Sequence, residues 1–351
     1  MSYNFGIIGL GTIARFHAEA IKAIHGACLV AVFSENENKA AEFVEEFGGI
    51  PYTDFSKFLK HKDLDVVSIC TPSGAHLEPC LASAEAGKHV VCEKPLEVST
   101  DRIDEMIRSC DKAGVMLSGI FPRRFNPSTK ELKKAIMQNR FGTITMADAY
   151  IKWWRNQDYY DSALWRGTWK LDGGGALMNQ SIHTIDLLLY LMGPVKSVRA
   201  ETRNLAHKNI EVEDTGIAML QFESGALGII QGATSSWSQA GHPAEIQVTG
   251  TKGSVFMTDD RFRVWEFRDQ IASDGVIRKT YAVKEKYGGA GAADPSTIDF
   301  QWHARNYEDI IFALGNNTIP SINGAEARRA VALISAIYES AAANGKKIEV
   351  V

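Results

Sequence analysis

Three groups of residues have types and spacings that could carry chemistry. Near the N-terminus, "GLGTIA" sets Gly9, Gly11 and Ala14 in a G-x-G-x-x-A pattern. The first glycine permits a tight turn, the second lets the main chain approach a pyrophosphate, and the alanine lets a helix pack close to a strand. The helix that opens there attracts phosphate to its N-terminus. Thr12 and Ile13 fill the variable positions of the same loop. Further on, "HVVCEKPL" ends an apolar run in Glu93, Lys94 and Pro95. A lysine beside a bound nicotinamide can exchange a proton with a substrate hydroxyl while hydride leaves the carbon. Burial and a nearby cation would lower its pKa toward a useful range. Pro95 restricts Lys94 to extended conformations, which fixes where the side chain starts. From the sequence alone, a surface lysine that merely ends a strand stands level with that reading. The third group lies in "GGGALMNQSIHTID", a helix expected to start near Gly175. It spaces Asn179, His183 and Asp186 at i, i+4 and i+7, on one helical face. Such a polar stripe on an apolar helix points to a site; the alternative is a core histidine satisfied by Asp186.

The elements that must hold these groups follow from periodicity. Up to about Pro122, short continuous apolar runs alternate with helical patterns, as in "NFGIIGLG", "TIARFHAEAIKAI", "CLVAVFS" and "DVVSICTP". That is the signature of a doubly wound α/β domain with a parallel sheet. Ligands bind outside the carboxyl ends of such strands. Lys94, Glu93 and the "TPSGAH" segment with Thr71, Pro72 and His76 therefore face the same crevice as the glycine loop. Where the second strand ends, Ser34 takes the place of the acid that usually reads the ribose, and Glu35 follows it. A carboxylate favours NAD; a serine leaves room for NADP, with Lys39 as the nearby cation. NAD is the expected cofactor and NADP the alternative.

After Pro122 the pattern changes. "TITMADAYIKWW", "TGIAMLQFE", "ALGIIQGATSSW" and "AEIQVTG" show partial period-two alternation, hence a large, mostly antiparallel sheet. The tail returns to helices. The expected organisation is a Rossmann domain over residues 1–122 and an α+β substrate and oligomerisation domain over 123–351, its last helices packing back on the first domain. "YGGAGAAD" near Gly288 is expected to be a flexible loop.

Composition narrows the classes. Of 351 residues 45% are hydrophobic and 23% charged, with a net charge of −4, too mild to indicate nucleic-acid or membrane binding. No signal-like start or membrane-length apolar run is seen, so a cytoplasmic location is expected. The five cysteines form no C-x-x-C pair. They are expected to be small buried hydrophobes rather than metal ligands or disulfides, and no metal is expected.

"GIIGLGTIA", "TPSGAH", "GKHVVCEKPL", "RRFNP", "GGGALMNQSIHTIDLLLYLMG" and "AIYESAAANGKKIEV", in this order and over nearly the full length, resemble the Gfo/Idh/MocA family of oxidoreductases. That resemblance implies an active site between the two domains, with Lys94 as catalytic lysine and His183 as its neighbour at the substrate hydroxyl. Many members carry an aspartate where this chain has Asn179. An amide orients a hydroxyl but takes no proton at neutral pH, so Lys94 and His183 must manage the proton. It also implies that Trp165 and Arg166 of "WRG" close over the cofactor. Arg124 and Asn126 of "RRFNP" read mainly as scaffolding, with Arg124 retained among the substrate contacts. Asp186 either orients His183 or binds substrate. Trp153 and Tyr160, from an aromatic cluster, are candidates to pack against a sugar ring. The implied activity is hydride transfer between a nicotinamide and a secondary alcohol of a sugar, cyclitol or derivative, by a homodimer or homotetramer. Two rivals remain: a redox-assisted lyase or glycosidase, and a regulator that binds dinucleotide without catalysis.

Overall fold

The computed structural model describes residues 2–283 and 300–351. The loop expected near Gly288 lies outside the described residues. The chain divides into two compact units, Met1–Pro122 with Asp299–Arg328, and Arg123–Ile298 with Arg329–Val351.

The first unit runs β1 (Tyr3–Ile8), α1 (Thr12–Ala23), β2 (Ala27–Phe33), α2 (Glu37–Phe47), β3 (Ile50–Tyr52), α3 (Phe55–Leu59), β4 (Val66–Ile69), α4 (Leu77–Glu85), β5 (His89–Cys92), α5 (Thr100–Ala113) and β6 (Leu117–Gly119). Its six strands are ordered β3-β2-β1-β4-β5-β6, all parallel. The order reverses between β1 and β4, the switch point where open α/β sheets bind ligands. Ile8, Ile69 and Cys92 stand in register across β1, β4 and β5. The residues that follow them therefore emerge side by side at one edge.

The second unit contributes α6 (Pro127–Met137), β7 (Ile144–Lys152), α7 (Gln157–Asp161), α8 (Ile182–Met192), β8 (Val195–Arg203), β9 (Thr215–Phe222), β10 (Leu227–Ala233), β11 (Glu245–Gly250), β12 (Gly253–Thr258), β13 (Arg261–Phe267) and α9 (Ala272–Thr280). The chain ends in α10 (Gln301–Asn316), α11 (Gly324–Ala342) and β14 (Ile348–Glu349). Eight strands form one sheet, ordered β13-β12-β11-β7-β10-β9-β8-β14. Only the β7–β10 pair is parallel.

In the first unit α1 buries Ala14, His17, Ala18 and Ile21, the i, i+3, i+4, i+7 stripe of an amphipathic helix. They join Phe5, Ile7 and Val66 in a core completed by Tyr307 and Ile310 of α10. His17 is polar in that core and must be satisfied there. No helix among the described residues is long and apolar enough to cross a membrane.

Two expectations need correction. Cys28 is exposed; the other four cysteines are buried, and all five are free thiols. The "GGGALMNQSIHTID" helix does not begin as an α-helix. Ala176–Ser181 is a π-helical turn, and α-helix starts only at Ile182. Apolar spacing reports which side chains are buried, not whether a carbonyl is met four or five residues on, so the π-turn was hidden.

Candidate active-site residues

At the end of β1, Gly9 has φ +82°, and a Cβ there would lie 2.9 Å from the Cys70 carbonyl and the Thr71 nitrogen. Only glycine fits. Gly11 is the N-cap of α1; no side chain caps the helix, and a Cβ on Gly11 would meet nothing. Ala14 N–H donates to Gly11 O at 3.2 Å, and with no side-chain cap the turn before it is open to an outside acceptor, which fits a pyrophosphate. Gly11 and Thr12 are exposed and Ile13 is half-buried. At the end of β2, the half-buried Ser34 hydroxyl accepts from Asn36 N–H at 3.2 Å, while the Asn36 side chain caps α2 by accepting from Lys39 N–H. Glu35 and Lys39 side chains are exposed.

After β4, Thr71 Oγ donates to Ala75 O at 2.9 Å, and Pro72 is half-buried. His76, expected at the cofactor, turns inward instead. It is 1% exposed, with Nε2 at 2.9 Å from Thr71 O and Nδ1 at 3.0 Å from Pro95 O. It ties the loop after β4 to the turn after β5, so it shapes the site from behind.

Lys94 is half-buried at the end of β5, and its bond to Pro95 is cis. Glu93, also expected at the cofactor, points into the unit. Its Oε2 accepts Lys94 N–H at 2.9 Å, and its Oε1 lies 2.8 Å from His17 Nε2 and 3.6 Å from His303 Nε2. His17 Nδ1 sits 2.7 Å from both Ser68 Oγ and Tyr307 OH. Burial works against charge on Glu93, but the histidine hydrogen bonds outweigh it and hold the carboxyl well below its ordinary value. Burial also lowers His17. The consistent state is a neutral His17 donating from Nε2 to an ionised Glu93, its Nδ1 accepting from a hydroxyl. The donor atoms of His17, Glu93 and His303 lie within 4.8 Å of one another, a spacing a small cation could span. The direct His17–Glu93 bond accounts for the cluster without one.

In the second unit the polar residues gather around Tyr159. Its hydroxyl accepts from Arg166 Nη1 at 2.6 Å and from Gln180 Nε2 at 2.7 Å, and donates to Asn179 Oδ1 at 3.3 Å. Asn179 Nδ2 donates to Asp172 Oδ1, whose Oδ2 accepts Gly167 N–H at 2.8 Å. Asp172 thus fixes the Asn179 amide with its oxygen toward Tyr159. Gln180 Oε1 accepts from Arg155 Nε at 3.1 Å. The Arg166 guanidinium lies between the Tyr159 and Trp165 rings, 4.3 and 4.7 Å from their centroids, and its Nε is buried without a partner among the described residues. Burial raises the Tyr159 pKa, with Arg166 opposing. His183 is half-buried in the first turn of α8.

The remaining expected substrate contacts divide into buried and half-buried side chains. Arg124 and Asp186 are 4% and 1% exposed and form a bidentate pair, Nε–Oδ2 2.8 Å and Nη2–Oδ1 2.6 Å. This is buried scaffolding, since ideal paired geometry is what lets two charges stay inside. Tyr160 is buried too, its hydroxyl 2.8 Å from Thr234 Oγ. Trp153 is half-buried, and its indole N–H has no partner among the described residues. Asp172, Gln180 and Arg155 carry no signal in the sequence, and Tyr159 stands there only as one member of the aromatic cluster. The aromatic cluster pointed at the region, but adjacent tyrosines offered no basis for choosing between them.

Residues 3–121 match the oxidoreductase family with an NAD-binding Rossmann fold, and residues 129–256 match the Gfo/Idh/MocA C-terminal domain. The chain is 32% identical to the myo-inositol 2-dehydrogenase of Thermotoga maritima over 81% of its own length and 83% of that protein's. This chain belongs to the Gfo/Idh/MocA family. Its family relatives include the inositol 2-dehydrogenase of Rhizobium meliloti, 30% identical over 74% of this chain and 77% of that one. Among solved structures it resembles the WlbA dehydrogenase of Bordetella pertussis in complex with NADH and UDP-GlcNAcA, with a TM-score of 0.88, 35% identity, and 99% and 97% of the two chains covered. As a Gfo/Idh/MocA member the chain is an NAD-dependent oxidoreductase, and the open phosphate loop of its first unit fits that cofactor.

Proposed function

We propose that the protein interconverts a secondary alcohol and a ketone on a sugar, cyclitol or sugar derivative, with Lys94 as acid and base and His183 as its partner. Lys94 carries this reading. It is half-buried just after β5, next to the end of β4 that bears Thr71 and one strand from the end of β1 that bears the glycine loop, close to the switch point between β1 and β4. Bound NAD supplies the hydride acceptor. Lys94 takes the substrate hydroxyl proton as the carbon is oxidised and returns it in the reverse direction. His183 holds the hydroxyl for that transfer. Asn179, pinned by Asp172, orients a neighbouring hydroxyl, and the unpartnered Trp153 N–H is a donor for another. Gly9, Gly11, Thr12, Ile13, Ser34, Glu35 and Thr71 hold the dinucleotide, and Trp165 and Arg166 are further candidate cofactor contacts. The names of the relatives, two inositol dehydrogenases and a dehydrogenase crystallised with a sugar nucleotide, support a polyol or sugar substrate.

We further infer a homodimer or homotetramer joined through the sheet of the second unit. Met146, Ile217, Met219 and Leu227 are 47%, 51%, 58% and 58% exposed on β7, β9 and β10, an apolar face of the kind that finds a partner. A cytoplasmic location agrees with five free thiols.

The test is a panel of cyclitols, hexoses, uronates and nucleotide sugars incubated with NAD and the purified protein. NADH accumulation on at least one is the expected result. Product without net NADH would replace this reading with the redox-assisted lyase, and NADH binding without any turnover would replace it with the regulator.

A further inference from the structure

The π-turn that carries Asn179 begins with main-chain N–H groups that have no helical partner of their own. One residue satisfies three in succession. Gly175 N–H donates to Glu213 Oε2 at 3.1 Å, Ala176 N–H to Glu213 main-chain O at 3.0 Å, and Leu177 N–H to Glu213 Oε1 at 2.8 Å. Tyr338 of α11 donates its hydroxyl to the same Oε1 at 3.0 Å. The approach is so close that a Cβ on Gly175 would stand 1.9 Å from the Glu213 carbonyl oxygen, and one on Gly174 2.0 Å from the Tyr338 hydroxyl. Glu213 is 4% exposed.

We propose that Glu213 is a positioning residue for the reaction proposed above: its carboxylate fixes the start of the Gly175–Ser181 turn and so places Asn179 and, directly after it, His183. This rests on the assignment of His183 to the substrate hydroxyl. A charged acceptor binds N–H groups about twice as strongly as a neutral one. Without it, Gly175 and Leu177 would bury unsatisfied donors, and the turn would loosen. The charge is held at a cost, since burial pushes the Glu213 carboxyl up to about 7, against the amides of Leu177, Gly175 and Glu213 itself and the Tyr338 hydroxyl. The titratable groups that face it are Tyr338 from α11 and Tyr160 from α7, with Asp172 facing Tyr338 in turn. The raised value means that ionisation of Glu213 near neutrality costs stability, which the three N–H bonds and Tyr338 only partly offset.

The experiment compares wild type and Glu213→Gln by hydrogen exchange of the Gly174–His183 segment, by NADH binding, and by turnover of a substrate found in the panel. The glutamine keeps the shape but sets an NH2 donor where one of the two oxygens accepts Gly175 or Leu177 N–H. Near pH ~8 the expected result is exchange of that segment and kcat/KM both changed about tenfold for the worse, the equivalent of one weakened buried bond. NADH binding should be unchanged. The exchange gap should widen toward pH ~6, because the raised carboxyl pKa means that the closed turn is more stable with Glu213 protonated. Unchanged exchange, or an exchange gap that is the same at both pH values, would overturn the proposal. If Glu213→Gln does not fold, Tyr338→Phe carries the test: it should speed exchange in the same segment by a smaller factor, and no change would overturn it. Exchange needs no turnover, so a protein inactive on every sugar would defeat the proposed reaction while the positioning of this turn is still decided.

Discussion

Glu93 of the first unit and Glu213 of the second are both almost wholly buried, 5% and 4% exposed, and both accept main-chain N–H groups beside residues proposed to do chemistry. Yet Glu93 is held well below the ordinary carboxyl range and Glu213 is pushed up to about 7. Burial raises both. What separates them is the donor. Besides one amide, Glu93 meets imidazoles, which can share positive charge; Glu213 meets three amides, its own included, and a phenol, which cannot. Counting hydrogen bonds would rank Glu213 as the better satisfied, so the ability of the donors to carry charge decides the ionisation. In the first unit charge is locked on beneath Lys94. In the second it is poised to change beneath Asn179 and His183.

The contrast predicts opposite pH signatures for stability. Glu213 has its folded pKa raised from 4.5 to about 7, so the folded state binds the proton more tightly. Its stability relative to Glu213→Gln should fall by about 3 kcal/mol as pH rises across that window. Denaturant midpoints of the two proteins from pH ~4.5 to pH ~8 test this; a constant difference would contradict it. Glu93 has a lowered folded pKa, so its contribution is present above the ordinary carboxyl range and lost as pH falls below it. Glu93→Gln should cost about 2–3 kcal/mol at neutral pH, the worth of a hydrogen bond to a charged group, and the cost should vanish in acid. A loss that persists in acid would mean that shape rather than charge is what Glu93 supplies.

These two residues also mark what the sequence could and could not reveal. The glycine loop and Glu93–Lys94–Pro95 were legible because their geometry is local: a strand end, a turn and a helix start within a few residues. The orientation of Glu93 was not, since it depends on His17, 76 residues earlier. Glu213 left no signal at all, because its partners lie 36 and 38 residues before it and 125 after. The polar stripe Asn179–His183–Asp186 was visible. Its division into a fixed amide, a half-buried imidazole and a carboxylate paired with Arg124 came only with the fold.

A smaller effect sharpens the picture inside the second unit. Asn179→Asp restores the residue common in the family but sets a second carboxylate against Asp172, which now receives the Asn179 amide. Two carboxylates sharing a site raise one another's pKa. The variant should lose roughly tenfold in kcat/KM at neutral pH and recover in acid. Equal or better activity at every pH would show that Asp172 does not govern that position.

The central claim is that Lys94 moves the proton. Its most direct measurement is the turnover of Lys94→Ala beside NADH affinity in the same preparation. The account predicts a fall of about 10²–10⁴ in kcat, the usual worth of a general acid–base, with NADH bound as tightly as by wild type. Undiminished turnover in Lys94→Ala would contradict it.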